Sequence, residues 1–113
     1  MNTEANKIKI LEFFEEIQKY YESKVEITEG LCTSSGDFSA EKTTWNLFEF
    51  NLVRSAYRNN GARFMMEGDG FYYELDAHAI LSLNQPGRHK FEFVEQLGES
   101  VFRITKLRFH YKY

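Results

Sequence analysis

The stretch FYYELDAHAILSL, residues 71–83, alternates between two kinds of side chain along its whole length. Apolar residues hold every odd position from Phe71 to Leu83, and polar residues hold most of the even positions between them. A period of two predicts a β-strand that turns one face to a core and the other to solvent. Because strands usually run for about 5–6 residues, we expect a bend or a bulge within this one.

Turn sequences divide the C-terminal half of the chain into four predicted strands. These strands cover residues 62–67, 71–83, 89–96 and 100–112. The GDG sequence at 68–70 is typical of a β-hairpin turn, and QPGR at 85–88 has proline and glycine where a type II turn requires them. A further turn is predicted at Gly98-Glu99. Short connections of this kind join antiparallel neighbours.

A helix and a short strand are predicted before these four strands. Apolar residues recur at helical spacing through residues 3–23, and Thr3 can cap the first turn of that helix. The sequence KVEITEGLC at 24–32 alternates and predicts a strand, and residues 33–37 predict a turn.

Residues 39–59 fit two periods at once. Their apolar side chains suit a buried strand, but Trp45, Phe48 and Leu52 also form one helical stripe. Ser39 can cap a helix, and NNG at 59–61 suits a helix end because asparagine and glycine adopt left-handed backbone conformations. We therefore predict a second helix here, with Trp45, Phe48 and Leu52 buried against one another.

These elements predict one α+β domain over residues 1–113, with two helices packed on a curved antiparallel sheet of four to five strands. One set of strand positions should face the helices, and it contains neither a carboxylate nor an imidazole. Its members are Phe71, Tyr73, Leu75, Ala77, Ala79, Phe91, Phe93, Leu107, Phe109 and Tyr111.

Composition excludes several classes of protein. The 113 residues fit one domain, and the 19 aromatic residues supply much of a core. No apolar run approaches the ~18 residues of a membrane span, and the N-terminus lacks the apolar segment of a secretory signal. The single cysteine, Cys32, excludes an intrachain disulfide and a cysteine-based zinc site, and we expect an inert thiol in a cytoplasmic protein.

The order helix, strand, helix and four long strands resembles the nuclear transport factor 2-like fold of SnoaL and ketosteroid isomerase. FEFVEQ at 91–96, LGES at 97–100 and VFRI at 101–104 are similar to the last hairpin of that family. The chain departs from the family at Phe102, where a tryptophan is usual, and in having less helix before the sheet. The family includes isomerases, dehydratases and interaction domains, so the resemblance implies a fold but no activity. None of its catalytic residues carries over.

Glu74, Asp76 and His78 lie on one face of the 71–83 strand and are candidates for a metal site or for acid–base chemistry. Alternate strand positions are ~7 Å apart, which is too far for three side chains to share one ion without other ligands. We therefore expect a solvated face with cross-strand ion pairs, and we predict no metal and no cofactor.

A basic stripe runs along the last predicted strand. Lys106, Arg108, His110 and Lys112 project to one side of it, and Arg54 and Arg58 form an i, i+4 pair on the second predicted helix. Such a stripe can bind phosphates or an acidic protein. It can equally protect an edge strand, or pair with Glu74, Asp76 and Glu92. The sequence pI of about 5.6 is low for a free-standing nucleic-acid binder.

These observations favour a non-catalytic interaction protein that docks onto a protein or ribonucleoprotein, in the manner of small inhibitors from phage or mobile elements. Nucleic acid contact through the C-terminal strand and a homodimer stay open, and no membrane contact is expected. The alternative is a small-ligand-binding or isomerase- or dehydratase-like protein with an aromatic-lined pocket. A polar group that converges on such a pocket would favour the alternative, and a filled core would favour the interaction protein.

Overall fold

The computed structural model describes residues 4–34, 37–58 and 60–111. Its elements are the helix α1 (Glu4–Glu16), a 3₁₀ turn (Ile17–Tyr20) and the strands β1 (Lys24–Cys32), β2 (Thr43–Arg58), β3 (Arg63–Gly68), β4 (Phe71–Asp76), β5 (Ile80–Gly87), β6 (Lys90–Gly98) and β7 (Val101–Phe109). Thr3, the expected N-cap, lies outside the described residues. No helix in the described part of the chain is long and apolar enough to cross a membrane.

The strands form one seven-stranded antiparallel sheet in the order β4-β3-β2-β1-β7-β6-β5. The prediction of two helices on a sheet of four to five strands is therefore wrong. One α-helix is present among the described residues, and the segment predicted as the second helix is the longest strand. The strand predicted at 24–32 has the same bounds as β1 and is confirmed.

Pairing with neighbours on both sides explains why β2 is a strand. Its first half pairs with β1, from Cys32 opposite Thr43 to Lys24 opposite Asn51, and its second half pairs with β3. Two threonines, four aromatic residues and one valine make up seven of its sixteen residues, and these residue types suit a pleated surface better than a helix. The predicted mutual burial of Trp45, Phe48 and Leu52 is also wrong, since Leu52 is buried and Trp45 is 40% exposed.

The strand predicted at 71–83 is interrupted, as expected for its length. Residues 77–79 form a turn between β4 and β5, and the backbone N–H of Ala77 donates to the carbonyl of Ala62 at 2.8 Å. The interruption changes the phase of the alternation, so that Ile80 is buried and Leu81 is only half-buried. A register shift between Ile80 and Ser82 then restores the original phase, and Leu83 is buried. The predicted turn at 85–88 is displaced, because β5 continues to Gly87.

Helix α1 covers one face of the sheet, called the inner face here, and the opposite face is the outer face. Phe13 has its ring centroid 4.8 Å from that of Phe91, 5.0 Å from that of Phe93 and 5.7 Å from that of Phe64. Phe14 stacks on Phe64 at 4.2 Å. Burial of one such side chain stabilises the fold by about 1.5–3 kcal/mol. The aromatic residues of α1 therefore cover the face of the sheet that two helices were predicted to cover.

Strand β2 changes neighbours part-way along its length. Thr43–Asn51 lies beside β1, and the ladder with β3 begins only at Leu52 and shifts register between Leu52 and Arg54. Gly68 ends β3 against this point, where a Cβ would lie 2.2 Å from the Asn51 carbonyl oxygen. Only glycine allows β3 to approach β2 this closely.

Candidate functional site

The predicted basic stripe lies on the outer face of β7. Lys106, Arg108 and His110 are exposed, and Lys112 lies outside the described residues. Strand β7 pairs with β1 on one side and β6 on the other. The interpretation of the stripe as protection for an edge strand is therefore wrong.

Glu26 of β1 partly neutralises this stripe. It lies opposite Arg108 in the ladder, with its Oε2 atom 3.7 Å from Arg108 Nη1, and its carboxylate also pairs with His110 Nε2. The hydrogen bond from His110 and the nearby positive charges hold the pKa of Glu26 below its usual range. The ammonium of Lys106 lies 5.4 Å from the ring centroid of Trp45, which is the distance of a cation–π contact.

Arg54 and Arg58 occupy a different surface from the β7 stripe, because β1 lies between β2 and β7. Both side chains project from the second half of β2 and are paired with carboxylates. Arg54 contacts Glu67 at 2.6 Å, and Arg58 contacts Glu74 at 2.6 Å. The structure therefore does not bring the predicted Arg54 and Arg58 together with the rest of the stripe.

Glu74 and Asp76 pair with arginines of β2 and β3, as the solvated-face interpretation predicted. Arg63 lies 3.0 Å from Asp76 and 3.9 Å from Glu74, and Tyr72 donates a hydrogen bond to Glu74. The suggested pairing of Glu74 and Asp76 with the β7 stripe is wrong. His78 is exposed in the turn after β4, and among the described residues no three His, Cys, Asp or Glu side chains form a metal-binding group. Cys32 is fully buried.

The end of β7 and the turn between β5 and β6 together form a basic depression of about 500 Å³. Its lining residues are Arg88, His89, Lys90, Arg108, Phe109, His110 and Tyr111. The two segments are joined because the Phe109 N–H donates to the His89 carbonyl at 2.9 Å and Lys90 lies opposite Arg108 in the ladder. Five basic or imidazole side chains therefore converge at one place.

Aromatic rings support the basic depression from beneath. Tyr20 stacks on Phe109 with ring centroids 4.0 Å apart, and its hydroxyl lies 3.0 Å from His89 Nδ1. The ring of Tyr111 packs edge-on against both Tyr20 and His89, at 5.4 Å from each. Burial, and then the negative charge of Glu16, raise the pKa of Tyr20 above its usual value. The Tyr20 hydroxyl therefore stays protonated at neutral pH.

Positive charge exceeds negative charge in the basic depression. Within the described residues, Arg88 and Lys90 have no ion-pair partner, and Glu26 is the carboxylate shared by Arg108 and His110. Charged donors in such a setting bind anions through short, strong hydrogen bonds. The sequence analysis missed Arg88, His89 and Lys90 because it assigned Arg88 to a turn and the other two residues to the next strand, although the sequence shows three consecutive basic or imidazole side chains.

The inner face also carries a polar cluster that the sequence analysis missed, here called the inner polar cluster: Glu29, Tyr73, Glu95, Arg103 and Thr105. The inner-face positions were expected to hold no carboxylate, and this expectation is wrong because Glu95 has no exposed surface. The sequence does contain a pattern that places Glu95 on the inner face, since Glu95 continues the alternation of Phe91 and Phe93.

Hydrogen bonds within the inner polar cluster satisfy its members. The Tyr73 hydroxyl is 3.0 Å from Glu29 Oε2 and 2.8 Å from Thr105 Oγ1, and Arg103 Nη1 lies 3.5 Å from Glu29. Burial raises the pKa of Tyr73 far above its usual value. Burial alone would lower the pKa of Arg103, but the hydrogen bond to Glu95 and the nearby negative charges outweigh it and raise that pKa. The cluster is therefore a network of mutual partners rather than a set of groups aimed at a ligand.

Comparison of the chain with protein-family models, with curated protein sequences and with solved structures found no match. The resemblance to the nuclear transport factor 2-like fold is neither supported nor excluded by these comparisons.

Proposed function

We propose that this chain is a non-catalytic interaction protein that binds an acidic segment of a protein partner in the basic depression. The observation that carries the proposal is the convergence of Arg88, Lys90 and Arg108, of which, among the described residues, Arg108 alone pairs with a carboxylate, that of Glu26. The aromatic support beneath these side chains adds a rigid apolar surface at the same place.

The distribution of charge favours an acidic protein over a nucleic acid strand. A phosphate backbone needs cations spaced along a track. Here the track is broken, because Arg54 and Arg58 are paired with Glu67 and Glu74 on another surface and Glu26 of β1 lies beside the β7 stripe, opposite Arg108. Arg88 and Lys90, which have no ion-pair partner among the described residues, instead lie together with Arg108 in one depression, which suits the side-chain carboxylates of a short acidic segment.

The filled inner face also supports an interaction protein over an enzyme with an internal pocket. Phe13 and Phe14 of α1 occupy the space above β3 and β6, and the polar groups of the inner polar cluster bond to one another. The proposal includes a cytoplasmic location, with which the buried thiol of Cys32 is compatible.

Fluorescence anisotropy with a labelled poly-glutamate peptide and a labelled single-stranded RNA of equal charge tests the proposal. We expect the chain to bind poly-glutamate more tightly than the RNA. The double variant Arg88→Glu/Lys90→Glu should bind the peptide at least about tenfold more weakly, because each charge-assisted hydrogen bond contributes about 1.5–3 kcal/mol.

The double variant Lys7→Glu/Lys42→Glu is the matched control. Both lysines are exposed, lie away from the basic depression and change the net charge by the same amount as the test variant. An equal loss of affinity for the peptide in both variants would show that net charge alone drives binding and would contradict the proposal. Tighter binding of the RNA, lost in the test variant, would replace the acidic protein with a nucleic acid as the partner.

A further inference from the structure

The first half of β2 leaves one of its two edges without a partner. Thr43–Asn51 pairs with β1 on one side, and the ladder of β3 on the other side begins only at Leu52. In the described part of the chain no other segment forms a backbone ladder with this free edge. An edge of this kind presents backbone N–H and C=O groups that can pair with another strand.

The side chains along this free edge are exposed and mostly uncharged. Leu47 is 76% exposed and Trp45 is 40% exposed, and Asn46 between them is exposed as well. From Thr43 to Phe50 the one charged residue is Glu49, and there is no proline or glycine. Natural edge strands are normally guarded by charges, proline or a covering element.

The two terminal strands of the sheet carry such guards. Strand β4 has Glu74 and Asp76 on its outer face, and β5 has Pro86 near its end and contacts helix α1. The contrast with Thr43–Glu49 indicates that the free edge of β2 is normally covered.

We infer that the free edge of β2 pairs with the same edge of a second copy of this chain, antiparallel and with the two-fold axis at Asn46. The proposal does not depend on the basic depression. The strand is self-complementary in this register, since Trp45 lies opposite Leu47 of the other copy and Thr44 lies opposite Phe48. An axis at Leu47 would instead place Trp45 opposite the charged Glu49.

The position of Trp45 suits an anchor for this contact. A Cβ on Gly30, its cross-strand neighbour, would lie 2.7 Å from the indole, so the absence of a side chain at Gly30 lets the ring lie directly on β1. Ile104 lies on the other side of Gly30 in the ladder with β7. A ring already held in place loses little conformational entropy when a partner covers it.

Light scattering on the purified full chain measures the association. We expect a mass of twice the 13.4 kDa of one chain, and a halving of that mass in Leu47→Lys, which places a charge at the pairing edge. The control is Val53→Lys, because Val53 is 47% exposed in the same strand but lies beyond the free edge. A monomeric natural chain, or equal dissociation of both variants, would overturn the proposal.

Cross-linking tests the register. Cys32 is buried, so a cysteine introduced by Asn46→Cys provides the accessible thiol. Opposite residues of an antiparallel pair have Cα atoms about 4.5–5.5 Å apart, within disulfide range, so this variant should form a covalent dimer on mild oxidation. Thr44→Cys should not, because its two copies would be about 14 Å apart along the strands. Cross-linking at residue 44 as fast as at residue 46 would overturn this pairing.

Discussion

The carboxylate of Glu95, which has no exposed surface, accepts two hydrogen bonds from the guanidinium of Arg103, its cross-strand neighbour, at 2.8 and 3.0 Å. The backbone N–H of Asp76 donates to the same carboxylate at 2.8 Å, and Arg103 donates to the carbonyl of Glu74 at 2.9 Å. Strand β4 stands at the opposite end of the strand order from β5 and β6. The Glu95–Arg103 pair therefore connects β4 to β6 and β7, although β4 forms no ladder with either strand.

Glu95→Gln should lower the free energy of unfolding by about 3–5 kcal/mol, because it leaves the half-enclosed Arg103 with Glu29 at 3.5 Å as its remaining counter-charge. Urea denaturation measures the loss. Glu92→Gln on the same strand is the control and should change stability by less than about 0.5 kcal/mol, since Glu92 has no ion pair in the described residues. Similar losses in the two variants would contradict the role of the Glu95–Arg103 pair.

Phe13→Ala should destabilise the fold by about 3–5 kcal/mol, because the ring contacts three other phenylalanines on the inner face. Leu11→Ala provides the comparison, since Leu11 is 52% exposed on the other side of α1. Its unfolding midpoint in urea should stay close to that of the natural chain. Equal midpoints for the two variants would mean that α1 does not cover the sheet as described.

Gly30→Ala should cost about 1–3 kcal/mol, because the added methyl group meets the Trp45 ring at 2.7 Å and the Ile104 side chain at 3.0 Å. Trp45 is the single tryptophan, so its fluorescence reports the displacement directly. We expect a red-shifted emission and faster quenching by iodide in the variant. An unchanged emission spectrum would show that the indole does not lie on Gly30.

Stability should fall as the pH rises above about 10, because burial raises the pKa of Tyr73 and Tyr20 in the folded chain. A folded pKa above the unfolded one stabilises the fold fully below the unfolded pKa, and this stabilisation is lost as the pH rises through the folded pKa. Urea midpoints from about pH 8 to about pH 11 measure the decline. Tyr73→Phe should make the decline shallower, and parallel curves for the two proteins would contradict the burial of this hydroxyl.

Segments with a single period were predictable from the sequence. The alternation in β1, β6 and β7 follows burial on one face, and the predicted strands match these elements to within a few residues. Residues 43–58 fit both periods, and their state depends on the ladders with β1 and β3, which no local pattern contains. The NNG sequence at 59–61 does not distinguish a helix end from a turn between strands, because Gly61, with φ of +88°, suits both equally well.

The candidate site was predicted in part. Lys106, Arg108 and His110 share one face of β7 because of strand alternation, which the sequence contains. The meeting of Arg108 and His110 with Arg88 and Lys90 depends on the register between β6 and β7, which places Lys90 opposite Arg108. The separation of Arg54 and Arg58 from this group follows from β2 being a strand on the far side of β1.

The most direct test of the proposed function is to locate the bound peptide by two-dimensional ¹H–¹⁵N NMR during a titration with poly-glutamate. We predict that the largest shift changes occur at the amides of Arg88, Lys90, Arg108 and Tyr111, with little change at Arg54 and Arg58. Addition of salt should reverse the changes, because the contact is between exposed charges. Changes centred on Arg54 and Arg58, or spread evenly over the exposed lysines, would contradict the assignment of the basic depression as the binding site.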